Sequence, residues 1–423
     1  VYLSLHLQKE IIPDEATHSL VIREFDKTLG IPSETADTIR NGVIIEGNPF
    51  LYYWILARAR NVVSFLRPGT TENQLFHFTR IINILFSVAT LFTTWLIAKK
   101  LIKSPWFQLL PTFLLANLQM FFLLATGINY DNLVNLLCAT ALLLLLNIIK
   151  NDRFWLNSIL LALTLGLAGL TKKTTIPFIG ILFIIWLFLY FEKKPKLERP
   201  NNWLFLLIAV TIAVLAGNVV MYSRNIILYK TLIPNCHIIN KDLPCDTSYI
   251  YQRWLRHNIP EKLSLKDARE LGLPNLVNYY FGHWSTVMLE RTVGILGHKS
   301  FYNPLFDIFS FTLIILAMLG LAFVRKPPVG LKLLGFLALF YTITLYLYNY
   351  NDQLYYAFAG YALQGRYIFP VIVPFLIFIS YIIESIKPIF FKIMATTSII
   401  ILSIIGGPIQ FLYFYKSIFI YWF

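Results

Sequence analysis

Along this chain apolar positions come in long unbroken blocks and do not alternate with polar ones. LFSVATLFTTWLIA (85–98), LVNLLCATALLLLLNII (133–149) and LFLLIAVTIAVLAGNVV (204–220) are three of them. A helix needs roughly 20 apolar residues to cross the hydrocarbon core, and in lipid only helices or closed barrels satisfy their own backbone. Barrel strands alternate apolar and polar residues, and these blocks do not. The pattern predicts an all-α polytopic membrane protein with spans at 79–98, 106–125, 131–149, 154–171, 175–191, 203–222, 304–324, 331–348, 367–386 and 393–415.

The polar sequence is concentrated in residues 1–78 and 223–303, which read as two loops on one side of the membrane. Spans 79–222 lie between them, and the C-terminal spans occupy 304–423. Within the first loop, NPFLYYWILARARNVVSFL (48–66) is apolar but carries Arg58 and Arg60 midway. Leu51, Ile55, Val62 and Leu66 fall at helical spacing, so this segment is expected to lie in the interface and not to cross it. NLVNYYFGHWSTVMLERTVGILG (275–297) mixes aromatic and polar residues and is also expected to be interfacial. SLKDARELG (264–272) has a Ser cap, charged residues and a closing Gly, the signature of a short exposed helix.

Composition agrees: 57% of the residues are hydrophobic and only 14% charged, where soluble domains carry about 25% charged residues. The formal net charge of +14 does not point to nucleic acid. The basic residues sit mainly between spans, where topology and anionic headgroups account for them. With residues before 79 placed outside, KKLIKS (99–104), KNDR (150–153), EKKPKLERP (192–200), RKPPVGLK (325–332) and the stretch holding Lys387 and Lys392 all fall inside. Of the outer connections, GINYD (127–131) has an acid and no base, while LTKKTT (170–175) departs from the rule.

The outer side is oxidising, so Cys236 and Cys245, which flank HIINKDLP, read as a disulfide. A metal pair is the weaker alternative, since only His237 is near. Cys138 reads as a small apolar residue within a span.

A few polar residues need more than topology. Asp14 and His18 share a helical face one turn apart, with Glu15 beside them. Asp14 follows Pro13, so it is either a helix cap stabilised by the dipole or a general base toward a hydroxyl. Asp131 stands where a span meets the outer surface and either caps that helix or serves as a second acid. Lys172 and Lys173 form a doubled cation in a tight outer turn, suited to a phosphate at headgroup level, although lysines at helix ends also snorkel. Arg366, with Tyr367 beside it, is either a phosphate-binding fork or an ordinary interfacial anchor. His77, Arg80, His283, Glu290 and Arg291 line a cavity or make anchors and ion pairs. No Walker loop, GxGxxG, HExxH or CxxC is present.

In order, Pro13-Asp14-Glu15-x-x-His18, NPFLYY, NYDxLxNLL (129–137), GLxKKT (169–174) and QGRYxxP (364–370) resemble a bacterial and archaeal multi-pass group of the GT-C glycosyltransferases. More distantly they are similar to protein O-mannosyltransferases and aminoarabinose transferases. The resemblance covers almost the whole chain. It implies a GT-C-like bundle of about 10–11 spans with outer interfacial helices, one span preceding the acidic motif; residues 1–12 do not supply that span. It implies a polyprenyl-phosphate sugar donor, an acceptor that is a glycan, lipid or protein, and an active site on the extracytoplasmic side of the cell membrane. Carried over, Asp14 is the catalytic base, with Glu15 in the same motif and Asp131 the second acid. Lys172, Lys173 and Arg366 hold the lipid phosphate, with His18 and Tyr367 at the substrate. No metal ligand is assigned; without a DxD pair, a divalent metal is the one cofactor left open. The rival classes are a lipid-linked saccharide flippase or transporter, an O-antigen-type polymerase or ligase, and a non-catalytic assembly partner.

Overall fold

The computed structural model describes residues 1–9, 11–40, 44–196, 202–232, 234, 239, 262–293, 295–296, 299–300, 327–360, 363–405 and 407. The N-terminal segment forms α1 (Tyr2–His6), α2 (Glu15–Asp26), α3 (Ala36–Arg40) and α4 (Leu51–Leu66). Then come α5 (Glu72–Leu101), α6 (Pro105–Asn117), α7 (Gln119–Thr126), α8 (Asp131–Ile149), α9 (Phe154–Thr171), α10 (Ile176–Lys193) and α11 (Asn202–Tyr229). After the second polar region follow α12 (Leu265–Glu270), α13 (Leu276–Tyr279), α14 (Ser285–Val293), α15 (Val329–Tyr356), α16 (Ile372–Ser385) and α17 (Ile389–Ile405). A two-residue antiparallel pair, Ile295–Leu296 with Lys299–Ser300, is the only sheet among the described residues.

Among the described residues seven helices are long and apolar enough to cross a membrane, or eight if α6 and α7 count as one broken span. The expected span at 304–324 and both Cys236 and Cys245 lie outside the described residues, and the end of the chain is represented by the 17-residue apolar helix α17. The expected span at 106–125 contains a break at Leu118, whose extended ψ of 120° ends α6, and α7 leaves at 65°.

Local chemistry sets the ends. Thr71 closes a capping box with Gln74 at the start of α5, whose last turn carries Lys99 and Lys100 toward the negative end of the helix dipole. Ser264 and Asp267 make the same box on α12, and Gly272 follows it at φ +75°, as the sequence leads one to expect. On α4 the two faces differ in their surroundings. Tyr52, Leu56, Ala57 and Arg60 are buried, whereas Val62 is 56% and Leu66 73% exposed. Arg58 donates to the Phe25 and Thr28 carbonyls, and Arg60 pairs with Asp26 at 2.9 Å and Glu72 at 2.8 Å. These cations tie α4 to α2 and free its other face for lipid.

The 275–297 segment lies against α15, where Trp284 donates to the Asn349 side chain at 3.0 Å and Tyr279 to its carbonyl at 3.3 Å. The larger core runs through α5 to α10 and α13 to α16. A second core, built from Val21, Ile22, Phe25, Tyr52, Leu56 and Leu133 among others, seats the N-terminal segment on the bundle. Consecutive spans alternate in direction, so the starts of α5, α8, α10 and α16 and the ends of α9 and α15 meet at one end. The basic connections after α5, α8, α10 and α16 fall at the other.

Candidate active site

Four segments meet at that end: the Asp14 loop, the 127–131 connection, the turn at Lys172 and the QGR turn. The first, carrying Asp14, is fixed from both sides. Glu15, fully buried, accepts from Arg80 Nε at 2.8 Å, Arg80 Nη2 at 2.7 Å and the Ile128 N–H at 2.9 Å. Arg80 spends its remaining donors on the Ser4, Leu7 and Gln8 carbonyls. Asn129 donates to the Pro13 carbonyl at 3.1 Å and accepts from the Asp131 N–H at 2.9 Å. At Gly127 an added Cβ would stand 2.5 Å from the Ile12 side chain, so this contact requires glycine. The second loop therefore grips the first through backbone and glycine contacts.

So held, Asp14 adopts a left-handed backbone (φ 60°), rare for a residue with a Cβ but best tolerated by Asp and Asn. It sits at the N-cap position of α2, yet its side chain makes no capping bond. The carboxylate instead pairs with Arg366. Asp14 keeps 39% of its side chain exposed while Arg366 keeps 2%. Asp131 opens α8 and pairs with Lys172, at the end of α9. Its second oxygen lies 3.6 Å from Arg366 Nε. Two acids and two cations thus form one linked cluster, gathered from residues 14, 131, 172 and 366.

Aromatic rings wall this cluster. Lys172 Nζ lies 4.6 Å over the Tyr130 ring and 5.0 Å over the Tyr367 ring, and Arg366 is 5.8 Å from Tyr367. The Tyr367 carbonyl accepts from Tyr341 Oη at 2.9 Å, which fixes the turn. His18, 3% exposed, sits edge-on to Tyr130 at 4.5 Å and shares a 2.9 Å hydrogen bond with Tyr53 Oη. Burial drives its pKa from 6.5 down to about 4, against the opposing pull of Asp14, so the ring is neutral at neutral pH.

Of the sequence-selected residues, Asp14, Asp131, Lys172, Arg366, Tyr367 and His18 meet here. Lys173 does not share the position of its neighbour: it is exposed, and the charge acting on it is Asp352. Glu15 is in reach of the cluster by sequence but sealed beneath it by Arg80. His283 is exposed, and Arg291 donates to the Leu363 carbonyl next to the QGR turn. Sequence reasoning gave no weight to Asn129, Tyr130 or Tyr53, although NYD and NPFLYY contain them. Among the described residues no group of three or more His, Cys, Asp and Glu stands together to hold a metal. The two carboxylates face Arg366 and Lys172, and no step below runs through a metal.

Residues 48–220 match the family model of dolichyl-phosphate-mannose-protein mannosyltransferases. No match was found among curated proteins. The fold is similar to ArnT from Cupriavidus metallidurans bound to undecaprenyl phosphate, with a TM-score of 0.51 and 13% identity over 93% of this chain and 60% of that one. It is also similar to the archaeal oligosaccharyltransferase AglB from Archaeoglobus fulgidus in complex with an inhibitory peptide and a dolichol-phosphate, with a TM-score of 0.52 and 12% identity over 95% of this chain and 52% of that one. This chain thus spans 60% or less of either protein. The likeness is one of fold: a helical membrane bundle of the kind seen in ArnT and AglB.

Proposed function

We propose that this chain is a glycosyltransferase that moves a sugar from a polyprenyl-phosphate donor to an acceptor hydroxyl at the extracytoplasmic face of the cell membrane. The observation that carries the reading is the half-exposed Asp14 carboxylate standing on buried Arg366, with Lys172 and Asp131 beside it. Lipid phosphates in the ArnT and AglB structures support the donor class. The sidedness rests on the basic connections at the opposite end, which the positive-inside tendency keeps in the cytoplasm.

In this reading the donor phosphate settles on Arg366 and Lys172, whose charges stabilise the departing phosphate. An anion there weakens the hold of Arg366 on Asp14. The acceptor oxygen attacks the anomeric carbon, its proton passes to Asp14, and the sugar–phosphate C–O bond breaks with its electron pair leaving on polyprenyl phosphate. Direct displacement inverts the anomeric centre. Glu15 acts by holding the Asp14 loop through Arg80, and takes no proton. The acceptor is a glycan, lipid or protein hydroxyl. A flippase would place its charges near the bilayer midplane, whereas these lie at the helix ends.

Transfer from a panel of synthetic polyprenyl-phosphate sugars, in detergent, tests this. Asparagine tolerates the left-handed backbone, so Asp14→Asn removes the charge and keeps the loop. Turnover is expected to fall by about 100-fold or more with donor binding retained, the usual scale for a general base. Unchanged turnover in Asp14→Asn would remove the base assignment and move it to Asp131.

A further inference from the structure

His18 is buried, yet its Nε2 has no hydrogen-bond partner among the described residues. The same is true of Arg366 Nη1, and Arg366 Nε has only the 3.6 Å approach of Asp131. Leaving buried polar atoms without partners is costly, and these belong to one cluster. The charged groups facing His18 are Asp14 at the start of α2, Arg366 in the QGR turn, Asp131 at the start of α8 and Lys172 at the end of α9.

The other ring nitrogen decides what Nε2 can offer. Nδ1 lies 2.9 Å from Tyr53 Oη. A phenol is the better donor and an imidazole nitrogen the better acceptor, so Tyr53 donates to Nδ1. Burial holds the Tyr53 phenol well above its usual pKa, and it keeps its proton. The neutral ring then carries its single proton on Nε2. His18 Nε2 and Arg366 Nη1 become two buried N–H donors, one neutral and one cationic, at the same cluster.

We propose that Tyr53 is a positioning residue that fixes the tautomer of His18, so that Nε2–H donates to an oxygen of the lipid phosphate held by Arg366 and Lys172. This rests on the lipid-phosphate reading above and extends it to a neutral donor. A neutral donor binds without adding charge to a cluster that is already balanced.

The test is affinity for undecaprenyl phosphate and transfer kinetics in the purified full chain. The variants are Tyr53→Phe, His18→Gln and His18→Asn. A glutamine amide reaches the place of Nε2, while an asparagine amide reaches only that of Nδ1. The expected result is near-wild-type affinity for His18→Gln and about a tenfold loss for His18→Asn, the equivalent of ~1.4 kcal/mol. Tyr53→Phe should raise the donor KM several-fold with little change in kcat. In ¹⁵N spectra, with His18 assigned by difference against His18→Gln, the wild type should show protonated Nε2 and Tyr53→Phe a mixture of tautomers. Equal affinity for the Gln and Asn variants, or protonated Nδ1 in the wild type, overturns the inference and leaves the lipid-phosphate reading standing. A wild-type chain that does not bind undecaprenyl phosphate overturns both.

Discussion

At the scale of single residues, the cluster is defined by what its side chains decline to do. Asp14 occupies a capping position and leaves the cap unmade, sending its carboxylate to Arg366 instead. Asp131 opens a helix, yet its charge goes to Lys172. His18 is buried and neutral, and that has a measurable consequence. Its folded pKa, about 4, lies below the unfolded value of 6.5. Between these values the unfolded chain binds the extra proton, so stability is complete above 6.5 and is lost as pH falls toward 4. The melting temperature in detergent is expected to drop more steeply over this range for wild type than for His18→Gln. Parallel profiles would mean that His18 is not the group held neutral. These residues were legible because each is a polar exception in an apolar chain. Lys173 looked equivalent to Lys172, since a doubled lysine does not say which member turns inward. Arg80 and Glu15 were legible as polar residues but not as partners, since 65 positions separate them.

At the scale of elements, the QGR turn depends on close packing. A Cβ at Gly365 would stand 2.4 Å from the backbone of Arg291 and Thr292 in α14. Backbone cannot rotate aside as a side chain can. Gly365→Ala is therefore expected to cost about 1–3 kcal/mol and to displace Arg366, lowering both melting temperature and lipid-phosphate affinity. A variant with unaltered affinity would show that the turn is free to shift. Element existence was plain in the sequence because long apolar runs allow little else in lipid. Two details were not legible, each for a specific cause. No Gly or Pro marks the break at Leu118, since Pro111 lies well inside α6. On α4 both faces are apolar: Tyr52 and Leu56 pack on the protein while Val62, Phe65 and Leu66 are exposed. Periodicity alone does not separate a face that meets protein from one that meets lipid.

At the scale of the molecule, the site end and the basic end are opposite. In a background with the three native cysteines replaced, Thr70→Cys should react with an impermeant maleimide on intact cells, and Lys103→Cys only after permeabilisation. The reverse labelling would place the cluster in the cytoplasm. The path of the chain through this end carries one more consequence. Asp14 and Arg366 are 352 positions apart. During synthesis the acid is made first, and its guanidinium partner arrives only after the intervening spans have been made. Until then the Asp14–Arg366 pair does not exist and no complete centre can form, whatever substrates the membrane already contains. A chain truncated before residue 366 retains Asp14, Asp131 and Lys172 without the group that joins them. The molecule's competence is thus dated to the synthesis of residue 366 and no earlier.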